Sequence, residues 1–159
     1  MRIYLLVNFM LKIIPFENKY LEEMAGLFAN SYSDSDSVWN LEHAKERVWE
    51  NVKSFPECNL VAIDDNGKFL GGILCQKYVN YNGPSLYVDS IQVLPESRKE
   101  GLGKLLLEEA IKIAKDLGVK SVFFYVDSEK IWLTDWYEKL GFEKTKWVAY
   151  ASKIGDLKI

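Results

Sequence analysis

The run "VLPESRKEGLGKLLLEEA", Val93 to Ala110, concentrates the residue types that can hold a phosphate. An apolar strand ends at Pro95, Arg98 follows, and then come Gly101, Gly103, Lys104 and a stretch with helical periodicity. The first turn of a helix has backbone N–H groups without partners and the positive end of the helix dipole, so it attracts anions. Glycines let a ligand reach those N–H groups, and Arg98 and Lys104 add positive charge. A phosphate-rich ligand fits this chemistry. Two common phosphate motifs do not. "RKEGLGKL" lacks the first glycine and the hydroxyl of a Walker A loop, and a G-x-G-x-x-G turn would need glycine where Leu106 stands.

The elements that must position this run are legible from period and punctuation. Leu102, Leu105, Leu106, Ala110, Ile113, Ala114 and Leu117 recur at helical spacing, which predicts a helix over 101–117 ended by Gly118. An apolar strand over 12–14 stops at Pro15. Tyr20, Leu21, Met24, Leu27 and Phe28 predict a first helix. Leu41, Ala44, Val48 and Val52 predict a second, with Asn40 as its N-cap. Strands are expected over 59–63 and 69–79, joined at "DDNG", where Asn-Gly suits a turn with positive φ at both central positions. A third runs from 86 to 94. "SVFFYV" reads as a short buried strand, a helix covers 132–140, and a final pair of strands spans 142–152. Three successive strands joined by tight turns are antiparallel, and a strand–helix–strand unit adds a parallel neighbour. The fold class is therefore α/β, a single-domain, mixed, mostly antiparallel sheet flanked by helices. The domain is expected over 10–152, with Met10 starting the first strand and residues 1–9 as an N-terminal extension.

Arg98, Gly101 and Gly103 complete the pattern R/Q-x-x-G-x-G/A after a strand ending V-x-P. In that form "VLPESRKEGLG" resembles the pyrophosphate-binding motif of the GNAT acetyltransferase superfamily, which binds acetyl-CoA. "DWYEKLGFEKT", Asp135 to Thr145, is similar to the superfamily's C-terminal motif, a helical tyrosine followed four residues later by Gly-Phe. The resemblance covers most of the chain from Lys12 to Ser152. It implies that acetyl-CoA is the cosubstrate and that its pyrophosphate lies on the backbone from Arg98 through Lys99, Glu100, Gly101, Leu102 and Gly103 to Lys104. It also implies that Ile91, Gln92 and Val93 pair with the pantetheine arm as an added strand. After "SVFFYV" the family often carries an asparagine that contacts the cofactor arm. Here Asp127 stands there, which can accept hydrogen bonds but cannot donate amide ones.

The reaction implied is direct attack of an amine on the thioester. An alkylamine with a pKa of about 10.4 must first lose a proton, the oxyanion needs a donor such as a backbone N–H near Val93, and the thiolate must leave. Tyr137 matches the family tyrosine and is the expected general acid toward the sulfur. Asp89, in "YVDSIQV", is the candidate base, an acid inside an apolar strand that alternation places on the face of Ile91 and Val93. Glu129 and Asp127 are alternatives.

Composition narrows the rest. The chain has 159 residues, 48% hydrophobic and 27% charged, which fits one globular domain. Its net charge of −3 speaks against a general nucleic-acid binder. The apolar part of the N-terminal stretch is too short to span a bilayer and is a poor signal peptide, so no membrane partner is expected. Two cysteines, Cys58 and Cys75, and one histidine, His43, are too few for a zinc site or an evident Cys–His pair. With no secretory signal they suggest free thiols and a cytoplasmic protein, and no metal. The acceptor is expected to be a small-molecule amine. The "SYSDSDSVWN" loop offers Asp34, Asp36 and Trp39 to a cation. Protein N-termini or lysines are the alternative within the same chemistry, and an acyl-CoA sensor without turnover is the alternative outside it. A homodimer is an arrangement common in the family.

Overall fold

The computed structural model describes residues 2–6, 9–35 and 37–147, with side chains from residue 11 onward. The chain divides into two compact units, 1–124 and 125–159.

In the first unit, six strands lie in sequence order across one sheet: β1 (Arg2–Leu6), β2 (Phe9–Pro15), β3 (Leu60–Ile63), β4 (Phe69–Asn80), β5 (Gly83–Val93) and β6 (Ser121–Phe123). Every pair is antiparallel except β5 with β6. Helices α1 (Leu21–Tyr32) and α2 (Leu41–Ser54) lie between β2 and β3 in the chain. Helix α3 (Leu102–Asp116) is the crossover that makes β6 parallel to β5. The mixed, mostly antiparallel sheet expected from sequence is the sheet observed. One strand was not expected: within residues 1–9, β1 pairs with β2 from Arg2 opposite Ile13 to Leu6 opposite Phe9.

The helices cover both faces of the sheet. Val61, Ile63, Phe69 and Leu74 pack with Met24 and Phe28 of α1 and Ala44 and Val48 of α2. All four residues of β3 are buried, so its alternate side chains meet the opposite layer. There, α3 approaches β5: a methyl group on Gly103 would lie 3.7 Å from Ile91 Cγ2 and 3.9 Å from Val93 Cγ2. The approach of α1 needs a glycine, since a Cβ on Gly72 would collide with Met24 and lie 2.8 Å from the Leu60 carbonyl.

The punctuation acts largely as read. Asn40 Oδ1 accepts from the His43 N–H at 2.8 Å and caps α2. Gly118, at φ 80°, ends α3: its N–H donates to the Lys115 carbonyl and that of Val119 to Ala114, each at 3.0 Å. The Asp64–Gly67 turn differs from expectation. Only Gly67 takes positive φ, at 81°, while the Gly67 N–H donates to Asp64 and the Asp64 N–H to Lys68. This is a type I turn closed by a glycine bulge, the three-residue hairpin. The strand in "SVFFYV" covers only Ser121–Phe123 and is half-buried.

Asn59, fully buried, joins α2 to β4. Its Nδ2 donates to the carbonyls of Phe55 at 2.7 Å, Cys75 at 3.0 Å and Asn51 at 3.1 Å, and its Oδ1 accepts from the Cys75 N–H at 2.9 Å. It continues the β3–β4 ladder by side chain, just beyond the last backbone pair at Leu60 and Ile73.

In the second unit, α4 (Ile131–Lys139) ends at Gly141, φ 92°. The Gly141 N–H donates to Glu138 at 2.9 Å and that of Phe142 to Tyr137 at 3.2 Å. Phe142 also packs edge-on against Tyr137, the contact that accompanies this cap. Of the strands expected over 142–152, residues 142–147 form none, and 148–152 lie outside the described residues.

Asn59→Ala strands a buried N–H and several carbonyls, and it should cost about 3 kcal/mol of stability, read by denaturant unfolding. Stability should also fall on the alkaline side. Burial pushes the Cys58 thiol up to about 12 and that of Cys75 well above its ordinary value of 9.0. Both pKa values are raised by folding, so the contribution is complete below the unfolded thiol value of about 8.5. It is lost as pH rises through the folded values. Melting temperature followed from pH 7 to 11 should drop above pH 9, and less steeply in Cys58→Ala.

Candidate active site

The strand end, turn and helix singled out in the sequence form one continuous structure. On one edge of β5, Ile91, Gln92 and Val93 pair with Ile73, Gly72 and Gly71 of β4. On the other edge, β6 covers only Ser85 to Tyr87. From Val88 to Val93 no strand faces that edge among the described residues. Gln92 reaches it only through its backbone, because its side chain is 3% exposed and donates to Ser90 Oγ at 3.0 Å.

Beyond Val93 the chain makes a short 3-10 turn, Pro95–Ser97, and enters α3. Arg98 Nε donates to the Val93 carbonyl at 3.0 Å, so the motif arginine is folded back onto the strand end. Lys99 holds φ 69° and Gly101 φ 81°, both left-handed. For lysine that conformation stores about 1–3 kcal/mol of strain. Gly101 is the N-cap of α3 and no side chain caps the helix. The Leu105 N–H bonds back to the Gly101 carbonyl, so the N–H groups of Leu102, Gly103 and Lys104 precede the first bond of the helix. Leu102 is buried and anchors this turn, while Lys99, Glu100 and Gly101 are exposed. Lys104 is half-exposed and faces Glu108 at 3.6 Å. Three backbone donors at a positive dipole end can accept an anion. Arg98 also lines an open groove of about 670 Å³ between α1 and the β3–β4 turn, which includes neither Ile91–Val93 nor Gly101–Lys104.

Asp89 requires a correction. Leu74 pairs with Ser90 but Cys75 pairs with Val88, so Asp89 is the extra residue of a β-bulge. The bulge breaks the alternation that placed Asp89 with Ile91 and Val93. Its side chain turns instead to α2 and is 4% exposed. Arg47 grips it with Nε to Oδ2 at 3.1 Å and Nη2 to Oδ1 at 2.5 Å, and Asn51 Nδ2 adds a bond to Oδ2 at 3.0 Å. A carboxylate with both oxygens bound to a guanidinium is poorly placed to take a proton from an amine. Sequence reasoning missed Arg47, Asn51 and Asn59. The available signal was Arg47 and Asn51 at i, i+4 on α2, with Asn51 in line with the buried Ala44 and Val48.

The remaining candidates lie in the second unit. Tyr137, on α4, packs edge-on against Trp136 and Phe142, and burial pushes its hydroxyl up to about 12. Asp127 Oδ1 accepts from the Glu129 N–H at 3.0 Å, and Lys130 lies 3.8 Å from Oδ2. Asp127 thus shapes the turn before α4, and Glu129 is exposed there.

The loop expected to greet a cation uses its residues internally. Asp34 Oδ1 accepts from the Ser37 N–H at 2.7 Å. Trp39 packs edge-on against Phe28, and its backbone N–H donates to Ser33 Oγ. Asp36 lies outside the described residues. This region exposes apolar side chains, Val38 at 82%, Tyr32 at 43% and Leu41 at 41%, beside polar ones that include Asp34, Ser37 and Asn40. Among the described residues no helix is long and apolar enough to cross a membrane.

Comparison with known proteins agrees with the motif. The sequence model of the acetyltransferase (GNAT) family matches residues 21–142. N-alpha-acetyltransferase 30 of Schizosaccharomyces pombe is 24% identical over 139 residues, 86% of this chain and 87% of that protein. Among solved structures, an aminoglycoside N-acetyltransferase in complex with CoA superposes with a TM-score of 0.74 at 21% identity, covering 91% of this chain and 95% of the other. An Arabidopsis thaliana protein in complex with the bisubstrate analogue CoA-Ac-MVNAL gives 0.65 at 19% identity, covering 86% and 85%. The structural likenesses share the fold, and the family match over 21–142 carries the assignment: the chain belongs to the acetyltransferase (GNAT) family, whose members are acetyl-CoA-dependent N-acetyltransferases.

Proposed function

We propose that this chain transfers the acetyl group of acetyl-CoA to the α-amine of a polypeptide N-terminus by direct attack on the thioester. Residues 10–152 form the catalytic domain in this reading. Acetyl-CoA lies along the free edge of β5, with its pantetheine arm on the backbone of Ile91, Gln92 and Val93. Its pyrophosphate lies on the N–H groups of Leu102, Gly103 and Lys104, within the Arg98–Lys104 turn, and Asp127 borders the arm. A backbone N–H near Val93 supports the oxyanion. The amine nitrogen forms the new C–N bond, the C–S bond breaks, and Tyr137 protonates the departing thiolate.

The observation that favours an α-amine is the occupied carboxylate of Asp89. An alkylamine with a pKa of about 10.4 is almost entirely charged at neutral pH, whereas an α-amine at about 7.7–8.0 is already neutral in roughly one molecule in ten. An acceptor of the second kind needs no dedicated base and loses its proton to water. The exposed Val38, Tyr32 and Leu41 offer apolar contacts to the side chains of a peptide. The relative that acts as an N-alpha-acetyltransferase aligns over 86% of this chain. The second reading, a small cationic amine, draws on the fold shared with the aminoglycoside N-acetyltransferase.

Release of free thiol from acetyl-CoA, followed with a panel of peptides, polyamines, aminoglycosides and amino acids, tests both. Turnover is expected with peptides bearing a free N-terminus and is lost when that terminus is blocked. Turnover confined to polyamines or aminoglycosides would move the assignment to the second reading. Saturable acetyl-CoA binding without turnover on any amine would contradict both and favour a sensor.

Tyr137→Phe should lower kcat by about 10²-fold and leave the KM for acetyl-CoA unchanged. The hydroxyl stays protonated up to about 12, so the rate with peptide should rise through the pKa of the amine and not fall between pH 7 and 9.

A further inference from the structure

The bulge at Asp89 lies where β5 leaves β6. The last residue of β5 paired with β6 is Tyr87, and the change of register against β4 comes at Leu74 and Cys75, opposite Val88 to Ser90. A bulge bends and twists the strand that carries it. The direction of the unpaired stretch therefore depends on how this one residue is held.

Both strands are pinned at the same level by side chains. On β4, Asn59 takes the N–H and the carbonyl of Cys75. On β5, all three bonds to the Asp89 carboxylate come from α2, two from Arg47 and one from Asn51. Arg47 is itself a third exposed and has Glu50 at 3.5 Å on its outer side. Asn51 is fully buried, and its Nδ2 is shared between Asp89 and the Arg47 carbonyl. A buried ion pair is a weak source of net stability, because desolvation offsets the attraction, but its fork geometry fixes direction.

We propose that Arg47, with Asn51, is a positioning residue: through Asp89 it fixes the bend of β5 and so sets the free edge from Ile91 to Val93 for the cosubstrate. The proposal rests on the reading that acetyl-CoA lies along that edge. It gives Asp89 the part of an anchor, and proton removal from the amine does not pass through it.

Four variants test it: Arg47→Lys, Arg47→Met, Asp89→Asn, and the apolar pair Arg47→Met with Asp89→Leu. Acetyl-CoA affinity, kcat, the pH profile and melting temperature are read for each. The single variants should weaken acetyl-CoA binding by about tenfold, measured well below the melting temperature, with kcat at saturation within about threefold of wild type. The pH profile of Asp89→Asn should keep its shape. The apolar pair should restore melting temperature, as replacement of buried ion pairs often does, and should not restore affinity. A merely structural role would restore both, and that result overturns the proposal. So does wild-type affinity in Arg47→Lys, which keeps the charge, loses the fork and is the variant to rely on if Arg47→Met does not fold. Loss of kcat by about 10²-fold in Asp89→Asn at unchanged affinity would make Asp89 the base and overturn it as well. Absence of acetyl-CoA binding by the wild-type protein would instead remove the reading beneath it.

Discussion

From Val88 to Val93, β5 is bonded to β4 on one side and, among the described residues, faces no strand on the other. Backbone N–H and C=O groups in that state must find water or a ligand, and they form a template for any extended chain that can pair with them. Much of the local architecture follows from keeping this edge open. β6 is only three residues long and ends its pairing at Tyr87. The bulge turns β5 at that point, and α3 begins at Leu102, after the eight residues 94–101. The free edge and the uncapped helix start are thus joined by a single loop, so one ligand with an amide-bearing arm and a phosphate end can use both.

The two glycines of the turn answer to different constraints. Gly101 is dictated by the backbone: it holds φ 81° at the N-cap, in a conformation that costs other residues about 1–2 kcal/mol. Gly103 lies inside the helix, and a methyl there would meet Ile91 and Val93 only at ordinary contact distance. Glycine within a helix costs about 1 kcal/mol relative to alanine. Neither φ nor space demands it, in keeping with a motif that takes glycine or alanine there. The left-handed Lys99 marks the loop instead, since strain of that kind collects where a loop is shaped for a ligand.

The elements that could be read from sequence were those with a strong local signature. The 3.6-residue period of α3, its Gly118 stop and the Asn40 cap of α2 each rest on near neighbours in the chain. The sheet class followed from turn lengths and from one crossover. What could not be read depended on partners far apart. "YVDSIQV" alternates without a visible flaw, and the bulge that puts Asp89 on the other face is created by register against Leu74 and Cys75. Arg47 and Asn51 lie on and beside the buried stripe of α2, and nothing local shows that they bond one acid until β5 is placed beneath them. Asn59, read as the first residue of β3, bonds across to Cys75, sixteen residues on. Even at "DDNG" the site of the turn was legible while its type was not, because the hydrogen bonds of Asp64, and not the Asn-Gly pair alone, set the loop length.

The most direct test of this account is a calorimetric titration of acetyl-CoA into the wild-type protein and into Gly103→Glu, with the melting temperature of each. The account predicts micromolar-range saturable binding by the wild type and a glutamate variant that melts no lower, because an acid suits the first turn of a helix, yet binds at least about tenfold more weakly, because its carboxylate competes with the pyrophosphate for the N–H groups of Leu102, Gly103 and Lys104. Equal affinity in the two proteins, or no binding by the wild type, would contradict it.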